Sequence, residues 1–442
     1  MILDEMKIKG LLERVIAANP GKTISLGVSA TETGSTRFAN NVITTNGVYN
    51  RLNIGVQVYK GKKSGIVVAG ELDEDKLKDA VVRADALAEV APENAELMPM
   101  LGPQTYPPVP PLYYPATAAV TPEQRAEAII SAVDKAKARG LDAAGFYETS
   151  SYSSVSLNSL GQYFYATGSR AYYSNTLRGG TGSGWAAADE EDIAKLKTGE
   201  LADRAIRIAL ASRDPQKLAA GKYTVVLEPA AVADFLWLLF YNFAAREADE
   251  GRSFLSRPEG KNRLGEALFD PQVTVSSDPA FPGLPAFPVG EDGLPVGRTP
   301  WIEKGVIKNL NYTRFWAQKT GKEPVAFPPN IVMEGGSGTV EDLIRSTEDG
   351  VLVSRLWYIR DLNPMILLMT GLTRDGNFRI KNGKLAGPVN NFRFNESPVN
   401  ILKNVVKMSK PVRAMGGETG QSAFVPGLVV KDFNFASVSE AV

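Results

Sequence analysis

The 442-residue chain contains no histidine and no cysteine, and each absence closes off a chemistry. Without imidazole the commonest general base near neutral pH is missing. Without thiols there are no disulfides and no thiolate nucleophiles. Together the two absences exclude zinc fingers, zinc sites built on nitrogen or sulfur, and any Ser-His-Asp triad. What remains is carboxylates, lysines, tyrosines, hydroxyls and a hard cation held by oxygens. An excess of charge of one sign is missing too: Lys+Arg and Asp+Glu each number 49, so no net field draws the chain to nucleic acid or an anionic membrane. The longest apolar run, Ala230 to Ala245, covers 16 residues and is interrupted by Asp234 and Asn242; a membrane span needs roughly 20. The opening Met1-Ile2-Leu3-Asp4-Glu5 is acidic where a secretory signal is basic and then apolar, so the expected compartment is the cytoplasm.

What is present describes a globular protein, 44% hydrophobic and 22% charged, long enough for about two or three domains. The first half is internally repeated at an offset of 119: Gly21 matches Gly140, Ser64-Gly65 matches Ser183-Gly184, Asp73 matches Asp192, and Lys76-Leu77-Lys78 matches Lys195-Leu196-Lys197. Each copy opens with a helix. Ile8, Leu11, Leu12, Val15 and Ile16 are spaced for one helical face. Thr121-Pro122-Glu123-Gln124 is a helix start with a capping residue, Pro at the first position and Gln at the third. Strand-like segments follow, at 24–29, 38–45, 49–60 and 65–69 in copy one and 145–150, 153–158, 162–167, 170–177 and 183–188 in copy two. Helices over 72–89 and 199–212 close the copies. Prolines 92, 99, 103, 107, 108, 110, 111 and 115 make residues 91–120 an extended connector, and Tyr106, Tyr113 and Tyr114 predict that it lies against the protein surface.

The expected fold class is α+β: an N-terminal region of residues 1–213, with repeats of about 1–90 and 121–213, then a mainly β region over 214–442. In that second region Tyr223–Leu227 reads as a strand and Ala230–Arg246 as a helix apolar on all sides, hence buried. Residues 302–308 and 378–385 read as hairpins, the second turning on Asn382-Gly383. Residues 340–346 and 397–408 read as short helices.

The order of these elements carries a resemblance. A strand ending Val226-Leu227-Glu228-Pro229 leads into the buried helix. A Gly- and Arg-containing loop (251–265), Val273-Thr274-Val275 and Gly290-Glu291-Asp292-Gly293 follow. Next come Trp301-Ile302-Glu303-Lys304-Gly305, Ile380-Lys381-Asn382-Gly383-Lys384 with Pro388-Val389, and Gly420-Gln421. This resembles the TldD/TldE (PmbA) family, once called modulators of DNA gyrase, over nearly the whole chain. The resemblance implies a zinc peptidase fold whose catalytic members carry His-Glu-x-x-x-His on the buried helix and a cysteine near the C-terminus. On that motif Phe240 and Ala245 stand where the histidines would be, Tyr241 where the glutamate would be, and Gly416 where the cysteine would be. Neither Phe nor Ala nor Gly has a side chain that can donate electrons to zinc, and with Tyr241 at the glutamate's place all four catalytic positions are lost.

The chain is therefore expected to be of the TldE type: no catalytic residues, no metal ligands and no cofactor of its own, with zinc only in a catalytic partner. The resemblance further implies a homodimer, or a heterodimer with a TldD-like homologue, enclosing a cavity for unfolded peptide. Extended peptide could be held there by adding it as a strand to a sheet edge. Two alternatives stand beside this reading: a homo-oligomeric peptide-binding or scaffold protein that has lost the proteolytic role, and an enzyme working with carboxylates alone. For the latter, Glu247, Asp249 and Glu250 form a weak acidic cluster, read first as a solvated helix end with its own ion pairs. Gly179–Gly184 lacks the Lys-Ser/Thr ending of a phosphate loop and reads as a strand connection. Ser337 has no base to activate it, and the aromatic run Tyr163-Phe164-Tyr165 with Tyr172-Tyr173 reads as strand packing.

Overall fold

Asp4 accepts a hydrogen bond from the Lys7 amide and so caps the first helix, α1 (Glu5–Ala17), which buries Ile8, Leu12 and Val15. The computed structural model describes residues 1–439. After α1 come β1 (Thr23–Ala39), β2 (Val42–Lys60) and β3 (Lys63–Ala69), then α2 (Glu74–Val90) capped by Asp73. The connector runs extended into a single helical turn, α3 (Pro115–Ala118). The second copy comprises α4 (Pro122–Lys137), with the expected capping box of Thr121 and Gln124, then β4 (Asp142–Asn158), β5 (Tyr163–Gly179), β6 (Gly182–Glu190) and α5 (Thr198–Ala211). All six strands form one antiparallel sheet in the order β3-β2-β1-β4-β5-β6, so the two copies meet at β1 and β4 and are mirrored in strand order.

Strands that the sequence divides into short pieces are continuous. Gly34, in a stretch of turn-like composition, pairs with Val48 on one side and Thr149 on the other. Its lack of a side chain serves packing, because a Cβ there would come within 2.3 Å of the buried Arg125 guanidinium. Gly65 and Gly184 occupy matching places: a Cβ on Gly65 would lie 2.1 Å from the Ala84 carbonyl oxygen of α2, and one on Gly184 2.2 Å from the Ala205 carbonyl oxygen of α5. In both copies glycine lets the closing helix rest directly on the strand. The 119-residue offset does not hold to the end of the repeat. Asp192 caps a short 3-10 turn (Ile193–Lys195) before α5, so Lys195-Leu196-Lys197 precedes its helix while Lys76-Leu77-Lys78 lies within α2.

The C-terminal half is largely β. Strand β7 (Gly221–Leu227), Leu428–Ser439, Asn391–Glu396, Leu368–Lys381 and Asp349–Asn363 pair in a closed ring, a five-stranded barrel to which Lys384–Pro388 and Val405–Met408 attach. A second, six-stranded sheet includes the hairpin Val412–Met415 and Ser422–Val425. Between them lies α6 (Pro229–Phe240), buried on nearly every side in the largest apolar core of the molecule.

Two helices are shorter than the sequence suggests. α6 stops at Phe240 instead of running to Arg246: Asn242 turns its amide back onto the Leu238 carbonyl at 2.9 Å, and Ala244 leaves the helix to form a bridge with Asn311. A separate turn, α7 (Ala245–Asp249), follows. Likewise 397–408 is helical only over Pro398–Lys403; Val405–Met408 is claimed by the barrel strand Leu428–Ser439. Among the described residues no helix is long and apolar enough to cross a membrane.

Candidate functional site

Asp234 is the one ionisable residue on α6, and it is fully buried. Its carboxylate faces the loop joining Val412–Met415 to Ser422–Val425. Oδ1 accepts the Thr419 amide at 2.8 Å and the Thr419 hydroxyl at 2.9 Å, and the Glu418 amide donates to both oxygens at 3.1 to 3.2 Å. A helix turn further on, the Trp237 indole donates to the Ser422 carbonyl at 3.0 Å. The loop is thus tied to α6 by side chains of the helix. Burial raises the Asp234 pKa to about 6, against the opposing pull of the amides and hydroxyl that bond it and of nearby Arg355.

Around this carboxylate the remaining charges pair off. Arg355 bonds Asp375 at 2.8 Å and is held between the rings of Trp185 and Trp357, 4.5 and 4.9 Å from their centres. Burial lowers its pKa, with Asp375 and Asp234 acting the other way. Glu418 accepts the Tyr358 amide at 2.6 Å and pairs with Arg360 at 2.8 Å.

The positions placed on the family motif each make contacts of their own. Phe240 packs on Phe243 and Trp301, ring centres 4.8 and 5.6 Å away. Tyr241 is half exposed and stacks on Phe327, 5.8 Å away and nearly parallel. Ala245 is buried at the start of α7, its amide bonded to the Asn311 carbonyl at 2.9 Å. Gly416 lies on Asp234: a Cβ there would meet Asp234 Oδ1 at 2.2 Å and Thr419 Oγ1 at 2.6 Å. The carboxylate and hydroxyl therefore fill the space that a side chain at 416 would need. These residues do not fit zinc. They present aromatic, methyl and bare-backbone groups, and the carboxylate against Gly416, Asp234, has its oxygens turned to three donors. Among the described residues no group of three or more His, Cys, Asp or Glu is arranged to hold a metal.

The acidic cluster after α6 is dispersed into separate contacts. Asp249 accepts the Trp316 indole at 2.7 Å and the Asn262 amide at 2.6 Å. Glu250 pairs with Arg246 and Arg252, and Glu247 reaches Arg252 at 3.8 Å. Gly179 and Gly182 are paired residues of the β5–β6 turn, and Ser337 is an exposed loop residue. The residue that sequence reasoning passed over is Asp234. Its signal was present, a lone charge in an apolar run, but its partners lie 184 and 185 positions away.

Beside this region, a cavity of about 780 Å³ opens between the N-terminal sheet and the C-terminal half. Gln57 and Tyr59 of β2 form one wall, connector residues 94–101 another, and Arg246, Arg314 and Phe327 a third. Arg246 is clamped by both oxygens of Glu96 at 2.8 and 2.9 Å, and Arg314 donates to the Pro99 carbonyl at 2.7 Å, so the connector is fixed in place as a wall.

Comparison with known proteins agrees along the chain. Profiles of the PmbA/TldA metallopeptidases match as domain 1 over residues 25–88, central domain over 117–213 and C-terminal domain over 220–437. A metalloprotease of Methanothermobacter thermautotrophicus is 28% identical over 277 residues, 58% of this chain and 57% of that protein. A metalloprotease of Archaeoglobus fulgidus is 26% identical over 219 residues, 46% of this chain and 49% of that one. The alignments thus span about half the length of these relatives. The crystal structure of TldE from Thermococcus kodakarensis superposes with a TM-score of 0.85 at 18% identity, covering 97% of this chain and 99% of the other, a likeness of fold. The chain belongs to the TldD/TldE (PmbA) family of metallopeptidases, and among its described residues no group of three or more His, Cys, Asp or Glu is placed to hold a metal.

Proposed function

We propose that the chain is a non-catalytic, TldE-type subunit of a TldD/TldE-type proteolytic assembly of the cytoplasm that cuts unfolded peptides, and that a catalytic homologue supplies the metal. The observation that carries the reading is the occupation of the site: where a cysteine would stand, Gly416 is sealed by Asp234 and Thr419. No imidazole or thiolate exists in the chain to rebuild a zinc site elsewhere. The contribution left to this chain is structural. Its 780 Å³ cavity combines carboxylates, arginines and aromatic rings along one recess, a lining suited to varied peptide side chains with little demand on sequence.

The test is reconstitution. Purified alone, the chain is expected to carry no stoichiometric zinc by elemental analysis and to leave an unfolded peptide intact. Mixed with a co-encoded homologue that carries His-Glu-x-x-x-His, it is expected to form a complex whose cleavage is lost on chelation and on omission of either chain. Chelator-sensitive cleavage that follows the isolated chain through every purification step would overturn the reading. So would a homologue that cuts equally fast without it.

A further inference from the structure

The cavity of about 780 Å³ between the N-terminal sheet and the C-terminal half is lined by four carboxylates, Glu96, Glu247, Glu291 and Asp292, and by two cations, Arg246 and Arg314. The whole chain is neutral, with 49 residues of each sign, so this excess of acid is local. Its positive charge is also largely engaged. Arg246 is held by both oxygens of Glu96 and by Glu250 at 3.0 Å, and Arg314 donates to the Pro99 carbonyl. On the acidic side, Glu247 has a loose partner in Arg252 at 3.8 Å, which Glu250 holds more closely. Glu291 and Asp292 form no ion pair among the described residues.

The two unpaired acids are presented on a fixed turn. The Gly290 amide donates to the Leu294 carbonyl at 2.8 Å, and the Gly293 amide donates to the Gly290 carbonyl at 2.9 Å. The Gly293 carbonyl accepts the Tyr106 hydroxyl at 2.8 Å. A Cβ at 293, where φ is 79°, would lie 2.7 Å from Gln162 Nε2, so the turn is seated on the connector and on the residue before β5. Glu291 and Asp292 stand exposed at its tip. The Tyr59 hydroxyl of β2 has its pKa raised by burial and by Asp292, and lowered by Arg314, which places Asp292 within electrostatic range of a ring on the β2 wall. Phe315, Trp316 and Phe327 add further ring surface to the lining.

We propose that this cavity selects basic segments of unfolded polypeptide, with Glu291 and Asp292 setting a preference for lysine and arginine side chains. The inference rests on the reading above that the cavity receives unfolded peptide, and it adds what kind. Selection is by charge and not by sequence. An ammonium or guanidinium brought to the two acids meets attraction where a carboxylate meets repulsion. The aromatic walls accept the methylene stem of a long cationic side chain while its charge stays in water.

Fluorescence anisotropy on the isolated full chain tests it, using three labelled peptides of one length and one glycine-serine background that carry lysine, glutamine or glutamate at the same positions. At low salt the lysine peptide is expected to bind about 3- to 10-fold tighter than the glutamine peptide, and the glutamate peptide more weakly than both. That advantage is expected to shrink on raising the salt to about 0.5 M. The double variant Glu291→Gln, Asp292→Asn is expected to bring the lysine and glutamine peptides within about twofold of each other, with the affinity for the glutamine peptide unchanged. A control, Asp75→Asn with Asp79→Asn, removes the same charge from α2 outside the cavity and is expected to keep the preference. Glu291→Gln alone, with half the loss, serves if the double variant melts below wild type. Equal binding of the three peptides, a preference indifferent to salt or to the variant, a preference lost equally in the control, or no peptide bound at all overturns the proposal. Cleavage by the reconstituted pair with no charge preference in this chain would sink the proposal and leave the subunit reading standing. A basic preference in a chain whose pair does not cleave would do the reverse.

Discussion

Asp234 and Gly416 form one steric unit, and the consequences can be measured residue by residue. Gly416→Ala puts a methyl group 2.2 Å from Asp234 Oδ1, so loop or carboxylate must shift; a loss of about 1–3 kcal/mol is expected in urea denaturation. An alanine variant as stable as wild type would show that the loop gives way freely. The carboxylate has its own pH signature. Its pKa is about 6 in the folded chain against an ordinary 3.8, so the folded state holds the proton more tightly. Its contribution to stability is complete below about pH 3.8 and is lost as pH rises through about 6, a span worth about 3 kcal/mol. The difference in unfolding free energy between wild type and Asp234→Asn is therefore expected to change across that window and to be flat above pH 7. A difference that stays constant from pH 4 to 7 would remove the buried charge from the account. The composition already excluded a zinc site built on imidazole or thiolate, and the lone aspartate in an apolar run was readable. Its role was not, because a carboxylate's partners are set by tertiary contact and Gly416 gives no hint of what fills its space.

Helices of the first half were legible because caps and apolar spacing are local: Thr121 caps its helix as the sequence predicts, and the structure shows Asp4 and Asp73 capping α1 and α2. Strand lengths were not. Residues such as Gly34 and Ser151 look like interruptions, yet they continue the ladder under Arg125 and beside β1. The end of α6 was hidden for the opposite reason, since Phe240 to Ala245 is apolar enough to continue and stops because Asn311 competes for its backbone. The repeat glycines supply the test at this scale. Gly65→Val and Gly184→Val force side chains into the backbone of α2 and α5 and are each expected to cost about 1–3 kcal/mol or more. Gly27→Ala, in the same sheet with no atom within 4 Å of its added methyl, is expected to be within about 0.5 kcal/mol of wild type. Equal costs at all three sites, read from denaturation midpoints, would mean that helix contact is not why glycine stands at 65 and 184.

At the scale of the molecule, the two halves are joined by an ionic cluster that no local pattern announces. Arg413, on the strand Val412–Met415, reaches across to β6 and the residue after it: its side chain is 14% exposed and lies 2.7 Å from Glu191, 3.4 Å from Glu190 and 3.5 Å from Asp189. Burial alone would lower the Arg413 pKa, but Glu191 and Asp189 more than offset it and hold it above the ordinary arginine range. Burial raises the pKa of Glu190, against the attraction of Arg413. Asp189 is also bonded by Arg170 at 3.1 Å and by the Ser422 hydroxyl, next to the loop that Asp234 holds. Arg413→Met keeps an unbranched apolar stem and removes the cation, leaving three carboxylates crowded in a poorly hydrated joint. Breaking such a pair from one side costs about 3–5 kcal/mol, and that loss is expected at pH 7 from denaturant unfolding followed by tryptophan fluorescence. The sign of its pH dependence follows. Without the arginine the carboxylates hold protons more tightly in the folded chain than in the unfolded one, so the deficit should shrink as pH falls from 7 toward 4. A deficit under about 1 kcal/mol, or one that grows on acidification, would mean that the apolar contacts between the halves carry the joint and that the ion cluster only decorates it.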